Sequence, residues 1–109
     1  MIARLTTMRV KADLWEELLK FGEEQVFPAH DQAPGFAGDL VLVDPGTFTV
    51  IQATLWTSEE DADRYAGSEV NRRRREKIQA MLDGAPERRS LSVFRVDLSG
   101  PRGEGSDTR

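Results

Sequence analysis

The stretch from Thr47 to Trp56 constrains the fold of this chain most strongly, because both of its alternating sets of side chains are largely apolar. One set is Phe48, Val50, Thr54 and Trp56, and the other is Ile51, Ala53 and Leu55. A β-strand with two apolar faces must be covered on both sides. We therefore predict a strand that carries helices on one face and a second covering structure on the other.

Periodicity along the rest of the chain predicts three further strands and two helices. The strands are residues 2–10, 36–44 and 88–98, and the helices are residues 14–26 and the segment between Ser58 and Gly84. Asp13 and Ser58 are the expected N-caps, and Pro28 marks the point where the first helix weakens. Gly67-Ser68 interrupts the second helix, and Asp44-Pro45-Gly46 predicts a hairpin turn before the third strand.

The order β-α-β-β-α-β predicts an α+β protein with the ferredoxin-like arrangement, in which two helices lie on a four-stranded antiparallel sheet. Residues 1–98 would form this single domain, and residues 99–109, rich in Gly, Ser and charge, would be a disordered tail. The helices cover one sheet face only. The other face is still partly apolar, so we expect a second copy to pack against it, sheet to sheet.

Composition narrows the chemistry that this chain can perform. Its 109 residues include no cysteine, and His30 is the single histidine. Disulfides, thiolate nucleophiles and multi-histidine metal sites are therefore excluded. The net charge of −4 argues against a nucleic-acid partner, and no apolar run approaches the length of a membrane span. The first residues lack the pattern of a signal peptide, so the expected location is the cytoplasm.

A set of short motifs follows the predicted elements in a characteristic order. The first helix is followed by P-G-F-x-G at residues 34–38, an apolar strand, and D-P-G at residues 44–46. The next strand runs into L-W-x-S-E-E-x-A at residues 55–62. In this order and spacing, the motifs resemble the antibiotic biosynthesis monooxygenase family, and the resemblance covers residues 1–98. Gly35 and Gly38 would let the chain turn tightly into the sheet, with Phe36 packed beneath.

The resemblance implies a dimeric α/β barrel, in which two sheets close around a shared interior. Some members of the family oxidise phenols or anthrones with O₂ and without metal or flavin, and others degrade haem. The haem-degrading members are similar at Trp56-Thr57-Ser58 and at Ser68-Glu69-Val70. They place an iron-ligating histidine where this chain has Arg75, and an asparagine in a first strand that has none here. We therefore expect no cofactor and no metal, and a small aromatic molecule as the ligand.

Trp56 is the leading candidate for a catalytic residue, because it matches the tryptophan that the family places at the end of the third strand. Its indole N–H would donate a hydrogen bond to a substrate oxygen and its ring would orient the substrate. A packed core tryptophan is the alternative. Tyr65, nine residues later, would bind substrate in the same cavity or simply pack on the sheet.

Asn71 and the run Arg72 to Arg75 lie on the second helix and supply the other candidates. Asn71 and Arg75 are predicted catalytic residues, and Arg74 is a predicted substrate-binding residue that would hold an anion at the barrel mouth. The alternative is a solvated helix face, with Glu69–Arg73 and Arg72–Glu76 as i,i+4 ion pairs.

Two functions from different classes remain open for this sequence. The first is a cofactor-independent monooxygenase, in which an electron-rich substrate itself reduces O₂. The second is a non-catalytic dimer that binds a small apolar molecule or acts as a stress or regulatory protein. His30 is the one side chain that titrates near neutral pH and could serve as a general base, but beside Asp31 we expect it to be solvated. An open cavity around Trp56 favours the enzyme, and a filled interior favours the second function.

Overall fold

The computed structural model describes residues 1–99. The strands are β1 (Ile2–Arg9), β2 (Phe36–Asp44), β3 (Thr49–Trp56) and β4 (Glu87–Ser92). The α-helices are α1 (Trp15–Phe21), α2 (Phe27–Asp31), α3 (Glu59–Ala66) and α4 (Glu69–Ala80). All strand pairs are antiparallel, in the order β2-β3-β1-β4. This confirms the predicted α+β, ferredoxin-like fold.

The first helical segment begins earlier than its sequence pattern indicates. A 3₁₀ turn, Ala12–Leu14, precedes α1, and Lys11 flanks it without a side-chain cap. Asp13 therefore lies inside the first turn, and the prediction that it is the N-cap was wrong. Val10, the residue after β1, forms an isolated antiparallel β-bridge with Leu82, and the turn begins two residues later. At its actual position the carboxylate still lies near the positive end of the helix.

Pro28 does not end this helical segment. α1 and α2 are joined by a π-helical turn, Gly22–Val26, in which the N–H of Phe27 bonds to the carbonyl of Gly22. Pro28 follows in the first turn of α2. A proline ring clashes with the preceding turn of a regular α-helix, and a π turn is one residue wider. The helix therefore continues to Asp31 and carries His30 over the sheet.

The hydrophobic core lies between the sheet and the helices. Its buried members are Met8, Val10, Leu18, Val50, Met81 and Leu82. Met8 and Val50 are direct neighbours across β1 and β3. Since side chains alternate along a strand, Gln52, Thr54 and Trp56 share the helix-facing side of β3 with Val50.

The opposite side of the sheet carries a second apolar surface, which we call the open face. By strand register it contains Leu5, Leu40, Leu42, Ile51, Ala53, Leu55 and Leu91. Leu40, Leu42 and Leu91 expose 55%, 51% and 39% of their surface. The helices of residues 1–99 pack on the other side, as the two apolar sets of β3 predict.

The last strand is shorter than predicted. β4 ends at Ser92, which pairs with Ile2, and the N–H of Val93 then bonds to the carbonyl of Met1. No pairing with β1 continues beyond this point among the described residues, so the prediction of a strand to residue 98 was wrong, and Phe94 is fully exposed. The predicted tail, residues 99–109, lies outside the described residues from position 100 onward.

The predicted interruption of the second helix is confirmed as a break between two helices. Ser58 caps α3 by accepting a hydrogen bond from the N–H of Asp61, and Ser68 caps α4 in the same way from Asn71. No helix within residues 1–99 is long and apolar enough to cross a membrane.

Candidate functional site

A cavity of about 340 Å³ lies between the helix-facing side of the sheet and helices α2 to α4. All five residues that the sequence predicts for the site line it: Trp56, Tyr65, Asn71, Arg74 and Arg75. We call this space the polar cavity. The structure thus brings the predicted residues together, although they come from one strand and two helices.

Trp56 forms an aromatic wall of the polar cavity. It is 2% exposed, and its Nε1–H donates to Thr54 Oγ1 at 2.9 Å. The rings of Phe36 and Tyr65 lie 5.5 Å and 5.4 Å from it, centroid to centroid. Its N–H is therefore already paired, and a substrate oxygen would have to compete with Thr54 for it.

The P-G-F-x-G segment sets the position of this wall. Gly35 has φ +84°, and a Cβ at this position would collide with the side chain of Asp61. The carbonyl of Gly35 accepts a hydrogen bond from the N–H of Thr57 at 2.8 Å. The tight turn places Phe36 opposite Trp56 in the sheet register. As predicted, this segment is architectural.

His30 is buried, and the expectation that it is solvated was wrong. It is 5% exposed, because α2 continues through it and lays its ring on the sheet. The ring stacks on Phe36 at 5.4 Å and meets the edge of Tyr65 at 5.3 Å. Nδ1 lies 3.8 Å from Asp39 Oδ2.

The surroundings of His30 favour its neutral form. Burial lowers the pKa of the imidazole below its ordinary value of 6.5, and the positive charge of Arg74 lowers it further. The carboxylates of Asp39 and Asp31 act against this and raise the pKa, but burial is the largest effect. His30 is therefore an uncharged base in the wall of the cavity.

Three buried polar atoms of the cavity wall have no hydrogen-bond partner among the described residues. They are His30 Nδ1, Tyr65 Oη and Arg74 Nη1. Burial raises the pKa of Tyr65 above its ordinary value, and the charge of Arg74 acts against this rise. Tyr65 therefore keeps its proton at neutral pH. His30 Nδ1 lies toward Asp39 and the phenol of Tyr65 lies beside Arg74, so each of these atoms has a polar neighbour without an ideal hydrogen bond. Since buried polar groups are rarely left unpaired, a polar ligand or water can complete their hydrogen bonding.

Asn71 and Arg75 line the polar cavity and also hold the corner between α3 and α4. Asn71 Nδ2 and Arg75 Nη1 each donate to the carbonyl of Ala66 at 3.1 Å. This carbonyl belongs to the last turn of α3, where it has no partner within the helix. Both side chains therefore have a structural function in addition to their place in the cavity wall.

The other two arginines of the run face solvent, as the alternative interpretation predicts. Arg72 pairs with Glu76 at 2.8 Å and with Glu69 at 2.6 Å, and Arg73 pairs with Glu69 at 3.3 Å. The sequence therefore contains both solvated and inward arginines within one helical turn.

The mouth of the cavity is basic. Arg4 of β1 and Arg88 of β4 line it together with Arg74 and Arg75, and no carboxylate among residues 1–99 does so. Arg4 is tied outward to Asp63 at 2.7 Å. Sequence reasoning missed Arg4 and Thr54, and it considered His30 as a general base but expected its side chain to be solvated. For Arg4, its alternation with Ile2 and Met8 in a predicted strand was the available signal.

The described residues offer no group of three or more His, Asp or Glu side chains that is suited to hold a metal ion. The titratable groups of the polar cavity are instead a neutral imidazole, a protonated phenol and guanidinium cations. This set can accept one proton and can stabilise negative charge on an oxygen atom.

The neutral state of His30 predicts an acid-sensitive stability. Because its pKa is lowered by folding, the unfolded chain binds the proton more readily below pH 6.5. Its contribution is complete above that pH and is lost as the pH falls, with a slope of at most about 1.4 kcal/mol per pH unit. We expect urea unfolding between pH 7.5 and 5 to show this loss in the wild type and a shallower one in His30→Gln. Hydrogen bonds hold the pKa values of Asp61 and Asp97 below the ordinary value of 3.8, so the titration of these carboxylates affects stability only at lower pH. Equal slopes for both proteins would contradict the assignment.

The fold of this chain can be compared with the folds of solved structures. The chain has the fold of the antibiotic biosynthesis monooxygenases, as solved structures along most of its length show. A monooxygenase of Streptomyces coelicolor in complex with nanaomycin D superposes with a TM-score of 0.76 at 16% identity, covering 91% of this chain and 92% of that one.

Two other solved structures show how widely this fold is used. The cofactor-independent oxygenase SnoaB of Streptomyces nogalater has a TM-score of 0.69 at 11% identity, covering 87% of this chain and 94% of that one. A protein of unknown function from Nitrosomonas europaea has a TM-score of 0.76 at 14% identity, covering 94% and 95%. No family model matches the sequence, and no curated protein matches it. At such identities the likeness establishes the fold, and the activity must be argued from the site.

Proposed function

We propose that this protein is a cofactor-independent monooxygenase that oxidises a small aromatic phenol or anthrone with O₂. The observation that supports this most is an aromatic-walled cavity lined by His30, Tyr65 and Arg74, each of which has a buried polar atom without an ideal hydrogen bond. The nanaomycin D complex and the cofactor-independent oxygenase of the same fold add support.

The proposed reaction needs a base, donors for an oxyanion, and a dry, flat binding surface. His30 would take the acidic proton of the substrate, because its imidazole is buried and neutral. Arg74 and Tyr65 would donate to the resulting oxyanion with groups that are unpaired in the free protein. Trp56 would orient the aromatic ring of the substrate. Its indole N–H, which donates to Thr54 in the free protein, would donate to a substrate oxygen instead. Asn71 and Arg75 would complete the wall.

The electrons come from the substrate. The deprotonated anthrone reduces O₂, and the two combine as a peroxide on the ring carbon. Loss of water then leaves a carbonyl, so that one oxygen atom enters the quinone and the other leaves as water. The overall balance is anthrone plus O₂ to anthraquinone plus water. The protein supplies only the proton transfer and the stabilisation of charge.

Oxygen uptake with a panel of anthrones and hydroquinones, in the presence of metal chelators, tests this function. We expect uptake above the spontaneous rate in the wild type. Trp56→Phe should lower the rate of oxygen uptake roughly ten- to a hundredfold. The phenylalanine ring lacks the hydrogen bond to Thr54 that fixes the position of the indole, so it would shift. Trp15→Phe is the matched control, since Trp15 packs against Phe48 outside the polar cavity. No uptake from folded protein, or equal losses in both variants, would contradict the proposal.

The hydrogen bonds that some cavity residues already make within the protein support a second function. The N–H of Trp56 is bound to Thr54, and Asn71 and Arg75 are bound to Ala66. These contacts suit a non-catalytic protein that binds a small apolar molecule. It predicts that aromatic ligands bind the cavity and are recovered unchanged in the presence of O₂.

For either function we propose a homodimer that joins two copies through the open face. Its exposed leucines would otherwise remain in water, and Leu40 and Leu42 alone expose about half of their surface. Burying such side chains stabilises association by about 25 cal/mol for each Å² of apolar surface removed from water. The two polar cavities would lie on the outer, helix-bearing sides of this dimer.

A further inference from the structure

An apolar groove of about 260 Å³ adjoins the polar cavity and has no part in the chemistry proposed above. It lies between the helical segment around the π turn and the helix-facing side of β2. Its walls include Leu19, Phe21, Phe27, Val41 and Val43. Among its lining residues only Glu23 and Gln52 carry polar side chains. The groove therefore suits an uncharged hydrocarbon.

The groove and the polar cavity share part of their walls. Met8, Val26, Gln52 and Ile78 line both spaces. The two spaces are therefore neighbours on the same side of the sheet. The unpaired polar atoms belong to one of them only, since His30, Tyr65 and Arg74 line the polar cavity and not the groove.

The π turn supplies the helical wall at this junction. Gly22, Glu23 and Val26 all belong to it and all line the groove. A π turn interrupts regular helix geometry and occurs often beside functional sites. Phe27 packs close to Gly22, because a Cβ there would meet its ring at 3.3 Å. This glycine therefore lets the aromatic ring lie flat along the groove.

We infer that the protein binds an amphipathic phenol, whose oxygenated ring lies in the polar cavity and whose alkyl chain extends into the apolar groove. The inference rests on the proposed function in one respect, because it places the reactive ring beside His30 and Arg74. The groove, at about 260 Å³, has room for an alkyl chain of several carbons. A second copy of the chain is a poor occupant, because Val41 and Val43 point away from the open face.

A series of 5-alkylresorcinols with chains of one, three, five and seven carbons tests this inference. Resorcinols carry the phenolic head, and binding is measured by calorimetry without O₂, below the concentration at which the heptyl compound forms micelles. We expect affinity to rise about fourfold for each added methylene, as burial of hydrocarbon predicts, until the groove is filled. A flat series, or no binding by any member, would overturn the inference.

Val43→Phe should narrow the groove and reduce the affinity for the heptyl compound about tenfold, with little change for the methyl compound. Val43 is 48% exposed on an edge strand, so the larger side chain should not unfold the protein. Val70→Phe is the matched control, because Val70 is 55% exposed and lines neither the groove nor the polar cavity. A heptyl-to-methyl affinity ratio that is the same in Val43→Phe as in the wild type would also overturn the inference.

The two proposals fail in different ways. Affinity that depends on the length of the alkyl chain, without oxygen uptake, would contradict the monooxygenase proposal and support the amphipathic ligand. Oxygen uptake with an unsubstituted anthrone, combined with a flat resorcinol series, would leave the monooxygenase and remove the alkyl chain.

Discussion

Val50→Asp is expected to unfold the domain. Val50 is 4% exposed and packs with Met8 and Leu18 between the sheet and α1. A carboxylate there has no partner among the core residues, and burying it costs about 4 kcal/mol or more. Domains of this size are stable by only about 5 to 15 kcal/mol. Circular dichroism and urea unfolding would measure the loss, and a variant of wild-type stability would show that the core has been assigned to the wrong side of the sheet.

Leu42→Asp is the matched variant on the other side of the same sheet. Leu42 is 51% exposed on the open face, so the new carboxylate stays hydrated in a monomer and leaves the fold intact. In the proposed dimer it would be buried against a second copy, and the dimer should separate. Solution mass at micromolar concentration measures this. A monomeric wild type, or a Leu42→Asp variant that remains dimeric, would contradict sheet-to-sheet packing.

Arg74→Gln is expected to lower oxygen uptake about a hundredfold, which is the usual cost of removing one donor from an oxyanion site. Arg74 Nη1 is buried without an ideal hydrogen bond, and the phenol of Tyr65 lies beside the guanidinium, so both groups would donate to the phenolate. The loss should appear mainly in kcat, because the negative charge on oxygen is greatest after deprotonation. The measurement is the same oxygen-uptake assay with the best substrate of the panel.

Arg73→Gln is the control for this variant. It removes the same charge one residue away, where the guanidinium is exposed and paired with Glu69. Exposed ion pairs contribute about 1 kcal/mol or less to stability, so neither folding nor uptake should change much. Equal uptake by Arg74→Gln and the wild type would remove Arg74 from the site. Equal losses in both variants would point to net charge and not to a donor.

The local pattern of the sequence was sufficient for most of the fold. The two apolar sets of β3 required cover on both faces, and the structure places Val50 under helices and Ile51 on the open face. Ser58 caps α3 as expected, because an N-cap depends on a side chain and the backbone three residues away. Such features involve neighbours in sequence and can be read without the fold.

The candidate site could be predicted only in part. The motif around Trp56 and the run of arginines pointed to residues that the fold does bring together in one cavity. Which arginine is unpaired could not be read from the run, because it depends on how α4 is rotated over the sheet. His30 was misjudged because a polar sequence neighbour, Asp31, suggested solvent, whereas the π turn before Pro28 carries α2 over the cavity.

The sequence by itself determined the order of strands and helices, the N-cap of α3 at Ser58, and the presence of two apolar sheet faces, since all of these follow from side chains within one segment. Only the tertiary structure decided that β4 ends at Ser92, that His30 is buried and neutral, and that a polar cavity and an apolar groove meet along Gln52 and Ile78. These features depend on contacts between residues far apart in the chain, and a local pattern carries no information about the partner that a side chain will meet.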